Sequence, residues 1–189
     1  MKRATVLSLM TIFFGLAFMN QTLAQNKGPM DPMSVDDWTL SLDLGPGTPI
    51  WGNGNGFGPA VKFSFEKGMW QLGPGVLTLG GEATFSFFTN RYGNNFREAW
   101  LNFIFAARSA YHYGWNIRGL DTYGGIPLGM GFSVYTHANE PGYSNNLPVY
   151  PYVGIFFGAS YFFTRDLGIN GELGYNSTYA NIGVIYKLN

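Results

Sequence analysis

Cysteine is missing from all 189 residues. Its absence excludes disulfides, thiolate nucleophiles and zinc–thiolate centres together. Charge is sparse as well: 12% of the residues are charged, against about 25% in an ordinary soluble domain. The 11 basic and 11 acidic residues cancel, so no basic excess exists to attract nucleic acid. Beyond residue 24 no apolar run approaches the ~20 residues that a membrane-crossing helix needs. Helical periodicity of useful length is absent too. What is present in quantity is glycine, at 27, and aromatic residues, at 18%. An apolar fraction of 46% is too high for a compositionally disordered chain.

The start of the chain is a separate unit. Lys2 and Arg3 precede an apolar run over residues 6–19, and Thr22-Leu23-Ala24 forms a small-x-small signal before Gln25. This is the pattern of a cleaved secretory signal peptide, residues 1–24. No cysteine sits near the cut, which excludes a lipoprotein anchor. Residues 25–36 are polar and carry Pro29 and Pro32; they read as a flexible periplasmic leader. Residues 37–189 read as a single domain.

That domain is a succession of alternating segments. WTLSLDLG puts Trp38, Leu40, Leu42 and Leu44 on one face and Thr39, Ser41 and Asp43 on the other. FGPAVKFSFE sets Val61, Phe63 and Phe65 against Lys62, Ser64 and Glu66. VLTLGGEATFSFF sets Leu79, Phe85 and Phe87 against Glu82, Thr84 and Ser86, and AWLNFIFAAR sets Leu101, Phe103 and Phe105 against Asn102 and Arg108. LDTYGGIPLGMGFSVY, VYPYVGIFFGASYFF, LGINGELGY and the closing ANIGVIYKL repeat the pattern. A period of two residues predicts β-strands, about eight of them. Pro127 and Pro151 fall inside two of these segments and each should mark a bulge or a strand end. GPGTPIWGNGNG, TNRYGNN and THANEPGYSNN read as turns and loops.

A soluble sandwich and a transmembrane barrel share such a pattern with opposite polarity. Four features favour the membrane. The polar face is poor in charge and rich in glycine, serine, threonine and asparagine, as a narrow lumen requires. Several apolar faces run for about nine to eleven residues, the length of a tilted strand crossing hydrocarbon. Aromatics such as Trp38, Trp70, Trp100, Tyr111, Tyr113, Trp115, Tyr161 and Tyr186 gather near segment ends, as in interfacial belts. An even strand count lets the last strand close on the first and leaves no open edge. The expected fold is therefore all-β: an eight-stranded antiparallel transmembrane β-barrel, an up-and-down meander.

Two stretches carry a family likeness: AARSAYHYGWN followed by LDTYGGIPLGMGF, and LGINGELGYNSTYANIGVIYKLN. They resemble the Bacteroidetes-type outer-membrane eight-stranded β-barrel domain family, small barrels of the OmpA and OmpX kind. Arg108, Tyr111, His112, Tyr123, Gly125 and Gly129 match its middle pattern, and Glu172, Gly174 and Tyr175 its penultimate hairpin. The resemblance implies both termini in the periplasm, insertion by the barrel-assembly machinery, contact with outer-membrane lipid and lipopolysaccharide, and no catalytic residues or cofactor. The chain ends in Leu188-Asn189 where outer-membrane barrels usually end in an aromatic residue.

Lys62, Glu82, Arg108 and Glu172 share the inward parity and form a candidate interior polar network; Lys187 shares it near a rim, where it reads as solvated. His112 reads as a polar turn residue, with no acid placed to orient its ring and with Ser109 on the opposite parity, so a serine–histidine hydrolase is not indicated. His137 is expected at the other end, so the two histidines cannot share a metal. Asp43 and Asp121 read as rim groups. GNGNGFG at residues 52–58 lacks the lysine and helix of a phosphate loop. Trp51, Tyr92 and Tyr143 are candidate contacts for an unknown surface ligand. The expected role is structural or surface-binding at the cell outer membrane, without catalysis, cofactor or metal. A narrow pore or small-solute transporter and a soluble secreted ligand-binding barrel are the alternatives; the inward residues Tyr123, Tyr152 and Phe156 argue against a pore.

Overall fold

The computed structural model describes residues 33–47, 58–92, 96–137, 149–175 and 177–188, with backbone alone at 89–92, 96–100 and 135–137. The expected signal peptide and the loops holding Trp51 and Tyr143 lie outside the described residues, as does the side chain of Tyr92. The strands are β1 (Trp38–Pro46), β2 (Pro59–Leu72), β3 (Gly75–Tyr92), β4 (Phe96–Gly114), β5 (Leu120–His137), β6 (Val149–Val153), β7 (Ile155–Phe162), β8 (Leu167–Tyr175) and β9 (Ala180–Leu188). Neighbours in sequence pair antiparallel, except that β6 and β7 both pair with β5 and not with each other; β1 pairs with β9, so the sheet closes on itself. Trp38 lies opposite Leu188 and Leu44 opposite Ile182 across the closing ladder. The first and last strands thereby satisfy each other's edges.

β6 and β7 are two halves of one strand. Leu128 faces Val153 in one half and Gly125 faces Phe156 in the other, so the register runs unbroken past Gly154. The break has a cause. Gly154 donates its N–H to the Pro127 carbonyl at 3.2 Å, but Pro127 has no N–H to return. Counted this way the barrel has eight strands. Pro151, opposite Met130, causes no interruption: its parity turns the ring nitrogen away from β5, to the side where β6 makes no ladder among the described strands.

One rim carries tight connections. β2 and β3 join through Gly73-Pro74, with Leu72 opposite Gly75. Gly73 has φ 58° and proline holds φ near −65°, the sign pattern of a type II′ hairpin. The β4–β5 turn uses Gly119 at φ 81°. Residues 33–37 are seated on this rim, with the Asp36 N–H donating to Gly68 O at 2.9 Å and the Gly68 N–H to Asp37 O at 2.9 Å.

Strand length differs sharply around the wall. β1, β8 and β9 have 9 residues each, whereas β3 and β5 have 18 and β4 has 19. Nine residues rise about 30 Å along a strand, enough for the ~25 Å apolar band of a tilted barrel. The surplus of β3–β5 ends at the rim away from the termini, where Tyr92 faces Phe96 and His137 faces Glu98. The stretch TNRYGNN, expected to be a turn, is therefore mostly strand.

Polarity is inverted relative to a soluble protein. Phe63, Phe65, Phe85, Phe105, Leu128, Met130, Phe157, Ile182 and Val184 are exposed, while Asp43, Lys62, Glu66, Glu82, Arg108 and Glu172 are buried. This is the polarity of a transmembrane barrel. Trp38, Trp70, Trp115, Tyr161 and Tyr186 are exposed toward the rim of tight turns, as an interfacial belt. Inside, large side chains fold over small cross-strand partners. Tyr123 lies over Gly158 and Tyr150 over Gly131, where an added Cβ would collide with the tyrosine ring.

Two outcomes follow. Removal of residues 180–189 deletes the closing ladder, so the protein loses the faster migration of an unheated sample on a detergent gel. Phe105→Lys places a charge in the middle of the apolar band and costs about 2–4 kcal/mol, read from denaturant unfolding in lipid vesicles.

Candidate functional site

The barrel axis is filled by a connected column of polar side chains. At its centre lies Arg108 from β4. Its Nε is 2.7 Å from Glu66 Oε1, in ionic contact though off the hydrogen-bond line. Its two terminal nitrogens lie 3.2 Å from Glu82 Oε2 and 3.1 Å from Glu172 Oε2. The guanidinium also sits over the Phe156 ring, 4.1 Å from its centre. Lys62 forms a second ion pair to Glu172 through Oε1. Five strands, β2, β3, β4, β7 and β8, thus meet across the lumen. The planar five-donor fork of arginine suits this task better than the point charge of lysine.

Toward the rim of tight turns the column continues through His112. Its Nε2 lies 2.9 Å from Glu66 Oε2 and its Nδ1 2.7 Å from Asp121 Oδ2. Tyr123 stacks on the imidazole at 5.0 Å between centroids. Thr78 donates to Glu66 Oε2 as well. Toward the opposite rim the Tyr152 hydroxyl donates to Glu82 Oε1 at 3.2 Å and accepts from the Ser177 N–H at 2.8 Å. Thr84 donates to Ser177 Oγ at 2.9 Å. A smaller set flanks the column: Asn170 Nδ2 donates to Asp43 Oδ1 at 2.7 Å and Ser41 to Asp43 Oδ2 at 2.9 Å.

The structure brings Lys62, Glu82, Arg108 and Glu172 together, and adds Glu66, which has the same parity and the shortest contact to Arg108. Several readings of single residues are corrected. His112 is not a turn residue. β4 runs on to Gly114, so the ring is buried between two acids, at 4% exposure. Asp43 and Asp121 are not rim groups but are fully buried, at 0% and 2%. Lys187 is not solvated: it is 7% exposed, lies over the Phe162 ring at 5.1 Å and is 3.5 Å from an Asp37 oxygen. Ser109 points to the other face and donates to Thr78 O at 2.9 Å, so Ser109 and His112 do not converge. Trp51 and Tyr143 lie outside the described residues. Groups of three or more histidine, aspartate or glutamate side chains able to hold a metal are absent among the described residues.

No family model and no curated protein matches the chain. It is similar to solved structures of Ail, the attachment invasion locus protein of Yersinia pestis. One is 9% identical, covering 82% of this chain and 100% of that one at a TM-score of 0.40. A second, of Ail in complex with the heparin analogue sucrose octasulfate, is 10% identical with the same coverage and a TM-score of 0.39. The fold described above stands on the strand pairing and side-chain polarity alone.

Removing one partner of a buried ionic group leaves the others uncompensated. Arg108→Met strands Glu66, Glu82 and Glu172 around an apolar side chain and lowers stability by about 3–5 kcal/mol, measured by denaturant unfolding in vesicles. Arg108→Lys keeps the charge but not the fork, and recovers only part of that loss.

Proposed function

We propose that this chain is an integral outer-membrane barrel that works through the surface it holds beyond the bilayer, with no catalysis. The carrying observation is the filled lumen. Arg108 and Lys62 are fixed by Glu66, Glu82 and Glu172, Arg108 sits over Phe156, and Tyr123 and Tyr152 lie along the same column. A lumen plugged by paired side chains and aromatics leaves no continuous path for small solutes. That disfavours the narrow pore. The exposed rows of phenylalanine disfavour the soluble ligand-binding barrel, since they would meet water.

What is left for function is the extension of β3–β5 past the shorter strands. With both termini in the periplasm, this three-stranded wall stands on the outer side of the membrane. A paired sheet presents a firm face to a partner, whereas a free loop must be ordered on binding. Membership of the Bacteroidetes-type group is supported by the way its matched residues gather: Arg108, His112 and Tyr123 are packed together, and Gly125 and Gly129 lie on the inward face of the same β5. The surrounding contacts of such a protein are outer-membrane lipid, lipopolysaccharide and the barrel-assembly machinery.

The test compares the native protein with a variant in which residues 89–99 are replaced by an Asn-Gly turn. Both should fractionate with the outer membrane, shift on heating and stay silent in planar bilayers, while only the native protein confers attachment of cells to surfaces or to each other. Steady conductance by the native protein, or equal attachment with the shortened wall, would refute this function.

A further inference from the structure

Asp121 Oδ1, Ser160 Oγ and Asn170 Oδ1 are among the buried oxygens that have no hydrogen-bond partner in the described residues, with Tyr150 Oη and Asn181 Oδ1 elsewhere in the lumen. The first three are neighbours. Asp121 on β5 lies directly opposite Ser160 on β7, and Ser160 directly opposite Asn170 on β8. Side chains directly across a ladder stand about 4.5–5.5 Å apart at Cβ. All three point into the lumen, at 2%, 1% and 4% exposure. Phe162, the next inward residue toward the β7–β8 turn, is also buried and separates them from the rim.

The remaining atoms of these groups are committed, which fixes what faces the gap between them. Asp121 Oδ2 is taken by His112 Nδ1. The Asn170 amide nitrogen faces Asp43 Oδ1; a carboxylate only accepts, so the amide oxygen must be the atom turned the other way. The set therefore presents one carboxylate oxygen, one hydroxyl and one amide oxygen.

The charge of the lumen points the same way. Five acids line it among the described residues: Asp43, Glu66, Glu82, Asp121 and Glu172. Against them stand Lys62, Arg108 and His112, even with the histidine counted as a cation, while Lys187 is paired with Asp37 at the rim. With every one of these carboxyls ionised, two negative charges are left over in a medium where uncompensated charge is costly. Asp43 and Asp121 flank the row that Asn170 and Ser160 complete.

We propose that Asp121, Ser160 and Asn170 bind a monovalent alkali cation, of the sodium or potassium class, inside the barrel. An oxygen-only donor set selects hard cations. Calcium gathers six to eight oxygens, commonly from several carboxylates, and here a single carboxylate faces the site. A water molecule that accepted from the Ser160 hydroxyl and donated to Asp121 and Asn170 would satisfy all three groups, but it leaves the charge excess untouched. A cation answers both needs, and it ties β5, β7 and β8 together at the level below Arg108.

Crystals of the detergent-purified protein soaked in rubidium or thallium(I) salts give the direct test. The expected result is an anomalous peak bounded by the three oxygens. A normal water there with no anomalous signal would overturn the proposal. A solution measurement needs no crystal. Replacing sodium chloride by choline chloride at equal ionic strength should lower the heat-shift midpoint of the native barrel by about 2–4 °C. Asp121→Asn and the milder Ser160→Ala should lose that dependence. An equal response in native and variant proteins, or no response in the native one, means that protons rather than a cation balance the excess.

Discussion

Arg108 is the group on which the interior depends. It sits on one strand and reaches carboxylates on three others, Glu66 on β2, Glu82 on β3 and Glu172 on β8. In a soluble core such a cluster would be an expensive way to hold a protein together, because well-packed apolar residues do the same at less desolvation cost. A narrow barrel in a bilayer has no such choice. Its outward face must be apolar to meet lipid, and alternation along every strand then delivers the remaining residues to the lumen. If these are to be anything but glycine, serine and threonine, they must be mutually satisfied. The arginine fork supplies several donors in a fixed plane, and its carboxylates arrive from strands that are far apart in sequence but adjacent or facing around the barrel. The network therefore specifies register: a slip of one residue in β2, β3, β4 or β8 would turn a charged side chain out toward lipid.

Packing around the column follows from the same confinement. Tyr123 and Tyr150 are too large for a lumen lined entirely by side chains, and each is accommodated by a glycine directly across the ladder, Gly158 and Gly131. Gly183 serves Asp43 in the same way. Much of the abundant inward-facing glycine is thus a matter of volume, not of backbone conformation; among the described residues only Gly73 and Gly119 are glycines with a positive φ.

How much of this was legible in sequence depends on where solvent enters. Within the bilayer one face is lipid and the other lumen, so alternation is strict, and the strand identities, the inward parity of Lys62, Glu82, Arg108 and Glu172, and the closure of β9 on β1 could all be read. Beyond the bilayer both faces of a strand are wet and the alternation fades. TNRYGNN looks like a turn for that reason, although β3 runs to Tyr92; YHYGWNIRG looks like one through its glycines and polar residues, although β4 runs to Gly114 and His112 is buried. Ending β4 early misplaced His112 as a surface residue. Once the strand is extended by its full length, the ring falls on the same parity as Arg108, two repeats of the pleat further along, and its acids become visible. Glu66 was on the correct face in sequence; what hid it was that pairing across a lumen joins strands that alternation cannot order by distance.

A filled lumen and a lopsided wall have one origin. Eight strands enclose little more than the volume of their own side chains, so this barrel has no room to spare for a transported solute. Extra chain length cannot be used inside and must go to the rims. Here it is spent on one side of one rim, where β3, β4 and β5 continue their pairing for about twice the length of β1, β8 and β9. Such an extension is held firm only if the strands beneath it do not shift against one another. Two of the three, β3 and β4, carry Glu82 and Arg108 directly below, and β5 is joined to the column through Asp121 and His112. The ionic interior is thus the foundation of the wall: its cost is borne within the membrane, and its effect is the rigidity of a surface outside it.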